Sequence, residues 1–330
     1  MEYRFLGDTG IQVSELCMGT WSFGGEADEE TARAMFHRCR EVGINVFDCA
    51  DVYQDGRSEE ILGRLIADCR HELVIVSKVY FSTADHVNAV GASRRHILSS
   101  VEASLRRLGT DYIDIYYIHH FDGRTSLEDT LRALEHLVRQ GKILYPAASN
   151  FAAWQVAKGL GISARHGWTG FKCIQPMYNL VKRQAEVELL PLAESENLGV
   201  MPYSPLGGGL LTGKYGTSRR PDSGRLVENE VYQIRYGSEW MYEVAERFTD
   251  FAEQRGFDPV ALAVAWVGSH PAVTAPIVGA RNVEQLEGSL GAAKIKMTPA
   301  LRAEISALSR TPPPATDRND DRTPVNYGVR

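Results

Sequence analysis

"NVFDCADVYQDGRSEEILGRLIADCRHELVIVSK", residues 45–78, begins and ends on short apolar runs with a helical pattern between them. "NVFD" (45–48) and "LVIVSK" (73–78) read as strands, while residues 58–68 carry apolar side chains at three- and four-residue spacing. Strand, helix, strand is the unit from which parallel sheets with helical crossovers are built. The first strand, however, runs into a polar cluster of Asp48, Asp51 and Tyr53. Taken alone, that cluster suits metal ligation, a turn or a proton-transfer site.

The same unit repeats along the chain. Further strands are expected at 15–20, 112–120, 143–150, 172–178, 199–204 and 274–279, making eight, and further helices at 29–42, 91–108, 126–140, 152–160, 184–196, 259–269 and 283–293. Ser126 with Asp129 three residues on resembles a capping box. Eight strands, each followed by a helix, predict an α/β fold of the (β/α)8 TIM-barrel type, as one domain over 1–330. A doubly wound dinucleotide-binding sheet competes, but the first strand–helix junction has no GxGxxG, and "GDTG" (7–10) falls in a hairpin. Three additions account for the remaining length: a front hairpin at 1–14, an insertion at 204–255 after the seventh strand with an extra helix at 239–255, and a tail at 294–330. The tail carries a helix at 299–309 and then irregular chain.

A formal net charge of −6 gives no general attraction to nucleic acid or to anionic lipid, so an anionic ligand needs a local cluster of donors. No apolar run approaches the ~20 residues that a membrane-spanning helix needs. The amino terminus lacks a basic segment followed by an apolar one, and the chain is expected in the cytoplasm. Its five cysteines are scattered without CxxC spacing, as reduced thiols are. With no HxH or HxxxH pattern, metal is not expected.

In a parallel barrel the reactive groups project from the carboxyl ends of the strands. There the chain offers Asp48, with Tyr53 in the following loop, then Lys78, then His119 and His120. A phenol is a poor acid at neutral pH unless a cation stabilises its phenolate. Lys78 could supply that cation, Asp48 could keep it charged and oriented, and His119 could donate to a substrate oxygen. Together the four suit protonation of a carbonyl oxygen. Asp51 is left as a loop residue outside the chemistry.

The same residues mark a resemblance to the aldo-keto reductases. "GINVFDCADVYQDGRSEEILG" (43–63) resembles the first signature of that family, with Cys49 and Gln54 where threonine and glycine are usual, neither change touching the proposed chemistry. "GTWSFGG" (19–25), "VSK" (76–78), "LGTDYIDIYYIHH" (108–120), "GKILYPAASNF" (141–151), "QPMYNL" (175–180), "MPYSPLGGGLLTGKY" (201–215) and "PIVGARNVEQLEGSL" (276–290) follow in the family's order. The resemblance covers about residues 2–292.

It implies Asp48, Tyr53, Lys78 and His119 as the catalytic tetrad, with Tyr53 as general acid. It implies a nicotinamide stacked on Tyr203 and held by Ser149, Asn150 and Gln175, and a pyrophosphate under the loop of Ser204, Leu206, Gly208, Lys214 and Arg225. Gly19, Thr20, Trp21, Asp48, Gly279, Arg281, Gln285 and Ser289 complete the implied cofactor contacts. Glycines 207–209 permit close backbone approach to phosphate, and Arg281 precedes a helix amino terminus where an adenosine 2′-phosphate could be received. That arginine favours NADP(H), with NAD(H) as the alternative. Related sequences often end the last motif in "EEN" or "MEN", where this chain has Glu287, Gly288 and Ser289.

Trp21, Tyr53, Tyr80, His119 and His120 are the expected pocket, His120 serving either there or as an exposed rim residue, and Phe23 either there or in the core. The expected activity is reversible hydride transfer between NADP(H) and a small-molecule carbonyl or alcohol. Two alternatives remain: a regulatory NADP-binding subunit similar to potassium-channel β subunits, and a nucleotide-deoxysugar reductase. A homo-oligomer is compatible with either.

Overall fold

The structure, a computed structural model, describes residues 1–323. After an antiparallel hairpin of β1 (Tyr3–Phe5) and β2 (Gln12–Ser14), the chain lays down β3 (Cys17–Gly19), β4 (Val46–Asp48), β5 (Val74–Val79), β6 (Ile113–Ile118), β7 (Ile143–Ser149), β8 (Cys173–Gln175), β9 (Gly199–Val200) and β10 (Ile277–Val278). These last eight form one parallel sheet in the order β10-β3-β4-β5-β6-β7-β8-β9. Backbone bonds from the N–H groups of Thr274 and Ala275 to the Val200 carbonyl (2.9 and 3.2 Å), and from Ile277 to Pro202 (2.9 Å), join the two edges. The sheet therefore curls into the (β/α)8 barrel, which leaves no open edge.

The helices α1 (Glu29–Glu41), α2 (Arg57–Ile66), α3 (Arg94–Leu108), α4 (Leu127–Arg139), α5 (Ala153–His166) and α6 (Leu189–Ser195) follow successive strands. In the insertion lie α7 (Arg225–Glu228), α8 (Glu230–Tyr236) and α9 (Glu239–Gln254), followed by α10 (Pro259–Gly268), α11 (Val283–Leu290) and α12 (Pro299–Ala307). Side-chain oxygens of Asp28, Ser93, Asp258, Asn282 and Thr298 cap α1, α3, α10, α11 and α12.

Several boundaries differ from expectation for local reasons. The third helix starts at Arg94 rather than 91, because Ser93 accepts from the His96 N–H and Gly91 sits at φ 95°. Helix α5 runs past 160 to His166 and stops at left-handed Gly167. The stretch 184–196 breaks into a 3-10 turn, Gln184–Glu186, and α6, because Pro191 has no N–H and is tolerated only in a first turn. The Ser126–Asp129 capping box does not form: the Ser126 side chain caps nothing, and Asp129 pairs with Arg132. Before residue 239, where the sequence pattern assigns no element, the insertion forms helices α7 and α8. Asn229 caps α8, and buried Tyr236 anchors it. In the tail, residues 324–330 lie outside the described residues.

Alternation along each strand separates two apolar clusters. Val46, Val74, Val76, Ile115, Tyr117, Ala147 and Cys173 point into the ring, whereas Met18, Phe47, Ile75, Tyr116, Ala148 and Ile174 point out to the helices. Leu6 and Val13 of the hairpin join the inner cluster. Contacts of hairpin residues with Lys172 and Tyr145 put the hairpin over the amino ends of the strands. That end is plugged, and polar groups reach the barrel axis at the carboxyl end. Among the described residues, no helix is long and apolar enough to cross a membrane.

Candidate active site

Continuing the inward register by two residues on each strand brings polar groups to the carboxyl rim: Gly19 after Cys17, Asp48 after Val46, Lys78 after Val76, His119 after Tyr117, Ser149 after Ala147, and Gln175 after Cys173. Neighbouring registers align Gly19 with Asp48 and Ser149 with Gln175. Strand alternation thus gathers residues far apart in sequence. Tyr53 joins them from the loop after β4.

Lys78 is wholly buried, with Nζ donating to Asp48 Oδ2 (2.6 Å), the Cys49 carbonyl (2.8 Å) and Tyr53 Oη (3.2 Å). Gln175 Nε2 donates to the other Asp48 oxygen at 2.8 Å. Both carboxylate oxygens are therefore paired with donors, the arrangement that a buried ion pair needs. Burial is the largest influence and works against the Lys78 ammonium, but Asp48 and Tyr53 together outweigh it and the amine's pKa is raised. Burial pushes the Tyr53 phenol up, Lys78 pulls it down, and the net direction is up, so Tyr53 holds its proton at neutral pH. His119 is pushed well below the usual imidazole range by burial and then by Lys78, leaving a neutral ring. Among the described residues its Nδ1 has no hydrogen-bond partner.

A chain of polar contacts leads outward. Ser149 Oγ donates to the Gln175 carbonyl (3.0 Å), Asn150 Nδ2 donates to Ser149 Oγ (3.1 Å) and the His119 carbonyl (2.8 Å), and Tyr203 Oη donates to Asn150 Oδ1 (2.7 Å). Asn150 and Ser204 both take left-handed backbone, at φ 56° and 58°. Thr20 is tied to the Asp48 carbonyl, and Gly19 packs where a Cβ would stand 2.8 Å from Ile277. The structure thus gathers Gly19, Thr20, Ser149, Asn150, Gln175 and Tyr203 around Asp48, Tyr53, Lys78 and His119.

The remaining predicted positions lie along the insertion and the last strand–helix junction. Gly208 is left-handed, and a Cβ there would stand 2.6 Å from the Tyr232 ring of α8. Leu206 is half-buried and Lys214 is exposed. Arg225 and Arg281 converge on Glu26, whose carboxylate lies 3.2 Å from one and 2.9 Å from the other. Gln285 accepts from the Arg281 N–H, Gly279 is exposed, and Ser289 is buried on α11. Glu287 is engaged with Arg38 of α1.

Rings frame the mouth. Trp21 meets Tyr53 edge-on at 5.1 Å, Tyr53 meets His119 at 6.0 Å, Phe81 meets His119 at 5.0 Å, and Tyr80 meets both Phe81 and His120 at 5.2 Å. Trp21 and Phe81 keep 46% and 39% of their surface exposed, apolar area offered to the opening. His120 is exposed, whereas Phe23 is buried in the core. Phe81 went unread in the sequence, although it adjoins Tyr80.

Asp51 corrects the reading of a plain loop residue. It is only 1% exposed, and neither carboxylate oxygen has a hydrogen-bond partner among the described residues. Burial, then the nearby Glu59 carboxylate, push its pKa up to about 8, with Arg107 the largest opposing influence. Glu59 is itself buried between Ser77 and Arg107. A separate surface groove of about 540 Å³, between α2 and α3, touches this network through Arg107 but contains none of the four rim side chains.

The "Aldo/keto reductase family" matches residues 15–310. An uncharacterized oxidoreductase, YrpG, of Bacillus subtilis is 37% identical over 90% of this chain and 92% of its own length. A probable voltage-gated potassium channel subunit beta of Oryza sativa is 34% identical over 96% and 99%. Versiconal hemiacetal acetate reductase of Aspergillus parasiticus is 32% identical over 91% and 94%.

Proposed function

The chain belongs to the aldo/keto reductase family of oxidoreductases, and from that premise we propose that it is an NADP(H)-dependent reductase of aldehydes and ketones with Tyr53 as the proton donor. The observation that carries this reading is the position of Lys78 Nζ, fully buried and shared between Asp48 at 2.6 Å and Tyr53 at 3.2 Å. A cation fixed there favours the phenolate that Tyr53 becomes on giving up its proton, and a low-dielectric site strengthens the effect. Asp48 keeps the ammonium charged, and Gln175 keeps Asp48 in place. Neutral His119 can offer one N–H to the substrate oxygen and hold it in line with the phenol.

The residues present fit a nicotinamide dinucleotide. Left-handed glycines 207–209 put no side chain between their backbone and an approaching phosphate, Arg225 and Arg281 supply positive charge, and the Ser149–Asn150–Gln175 string offers amide and hydroxyl groups beside the rim. When bound, the cofactor supplies the hydride. Ser149, Asn150 and Gln175 would hold its carboxamide, Ser204, Leu206, Gly208, Lys214 and Arg225 its pyrophosphate, and Arg281 with Gln285 the adenosine end.

Two measurements bear on the cofactor. Arg281→Ala should weaken NADPH binding by ~10- to 100-fold, the worth of a charge-assisted contact, and change NADH binding little. Equal loss for both would remove Arg281 from 2′-phosphate recognition. Glu26→Gln should act oppositely, tightening NADPH by ~2- to 5-fold, since the exposed carboxylate competes for the same guanidinium only weakly.

The rice relative, named as a probable channel β subunit and matched over 99% of its length, favours a second reading as an NADP-binding partner of another protein. Steady turnover of simple aldehydes with no co-purifying protein would decide for the enzyme.

A further inference from the structure

Tyr53 is followed by three left-handed residues in succession: Gln54 at φ 50°, Asp55 at φ 55° and Gly56 at φ 88°. Glycine takes that conformation freely and asparagine or aspartate tolerates it, but glutamine has no such allowance. At φ 50° Gln54 therefore puts a strained backbone directly beside the proposed proton donor. A strained residue persists only when its surroundings hold it there.

Two contacts of the Gln54 side chain hold it there. Gln54 Nε2 donates to the Trp21 carbonyl at 3.0 Å, and the same side chain lies across Gly25, where a Cβ would stand 2.6 Å from Gln54 Cδ. The loop it grips is anchored at its far side by Ser22 Oγ, which donates to the Ala280 carbonyl at 2.6 Å. Trp21 itself stands edge-on to the Tyr53 ring at 5.1 Å while half-exposed at the mouth.

We propose that Gln54 is a positioning residue that clamps the Trp21 loop to the Tyr53 loop and so sets the width of the mouth for flat, apolar carbonyl compounds. The inference rests on the reductase reading for its substrate consequence, but not for the clamp itself. Gln54 touches neither the reacting atoms nor the Lys78–Asp48 pair; it acts through Trp21. Loss of the clamp should therefore weaken binding of large flat substrates and leave the chemical step alone.

The test compares Gln54→Gly, Gln54→Ala and Gln54→Asn in the full chain. Glycine and asparagine accept the left-handed backbone, while none of the three reaches the Trp21 carbonyl. Gln54→Gly and Gln54→Asn should raise KM for a naphthaldehyde ~5- to 10-fold with kcat within ~2-fold, and leave KM for propanal within ~2-fold. Gln54→Ala should show the same split and melt below both. Fluorine NMR of fluorotryptophan-labelled protein, with Trp21 assigned from Trp21→Phe, should show the Trp21 resonance shifted and narrowed in all three. A KM that rises equally for both aldehydes, or stays unchanged, overturns the specificity role. Should wild type reduce no carbonyl, the reductase reading fails separately and the resonance decides the clamp: a Trp21 signal unmoved in all three variants overturns it.

Discussion

Tyr53→Phe should bind NADPH within ~3-fold of wild type and lose at least ~100-fold in kcat for every carbonyl substrate, the range in which a positioned general acid contributes. The substitution removes one oxygen and keeps the ring, so the edge contacts with Trp21 at 5.1 Å and His119 at 6.0 Å can persist. What disappears is the hydroxyl that lies 3.2 Å from Lys78 Nζ. Lys78 is poorly suited to take its place as acid, because the Asp48 carboxylate at 2.6 Å still favours its charged form. His119 cannot either, since burial and Lys78 leave its ring unprotonated. Turnover measured with saturating NADPH, beside the cofactor affinity by fluorescence quenching, checks the prediction. Retained turnover would remove Tyr53 from proton transfer, and lost cofactor binding would place it in a different role.

Asp51→Asn should make the protein more stable at alkaline pH, with the gain fading as the pH falls. In the folded chain the Asp51 carboxyl is raised by burial, then by Glu59, to about 8, far above its value in an unfolded chain. Between ~4 and 8 the folded state therefore holds a proton that the unfolded state has released, and stability falls as pH rises through that window. The full span is worth on the order of 5 kcal/mol above pH ~8. Asparagine carries no charge to bury, although its amide still needs partners, which takes back ~1 to 3 kcal/mol. Thermal melts of both proteins from pH 5 to pH 9 should show the variant at or below wild type at the acidic end and several degrees above it at the alkaline end. A difference that does not vary with pH would mean that Asp51 is not the buried proton holder.

The barrel was legible because its signal is periodic. Strand alternation and helical spacing report burial along the chain, and the polar residues breaking off each apolar run mark the carboxyl rim where Asp48, Lys78, His119, Ser149 and Gln175 stand. Hidden were the pairings that depend on distant partners. Nothing near Glu59 announces that Arg107 will neutralise it, and nothing near Gln175 announces that its amide will hold Asp48. Asp51 looked like a loop residue because loops are usually wet, but this one lies near Tyr116 and Glu59, and its side chain is enclosed. Helices α7 and α8 were hidden by the charged composition of the insertion. The buried ring of Tyr236, whose Oη pairs with Asn179 across the chain at 3.2 Å, is the long-range contact that holds them.

The most direct test of carbonyl reduction with Tyr53 as proton donor is the fate of a label. NADPH deuterated at its transferable position would be incubated with an aromatic aldehyde and the product examined by mass spectrometry. Wild type should yield an alcohol carrying one deuterium on the former carbonyl carbon, and Tyr53→Phe at least ~100-fold less of it over the same time. No labelled alcohol from wild type, or labelled alcohol at the wild-type rate from Tyr53→Phe, would contradict that reading.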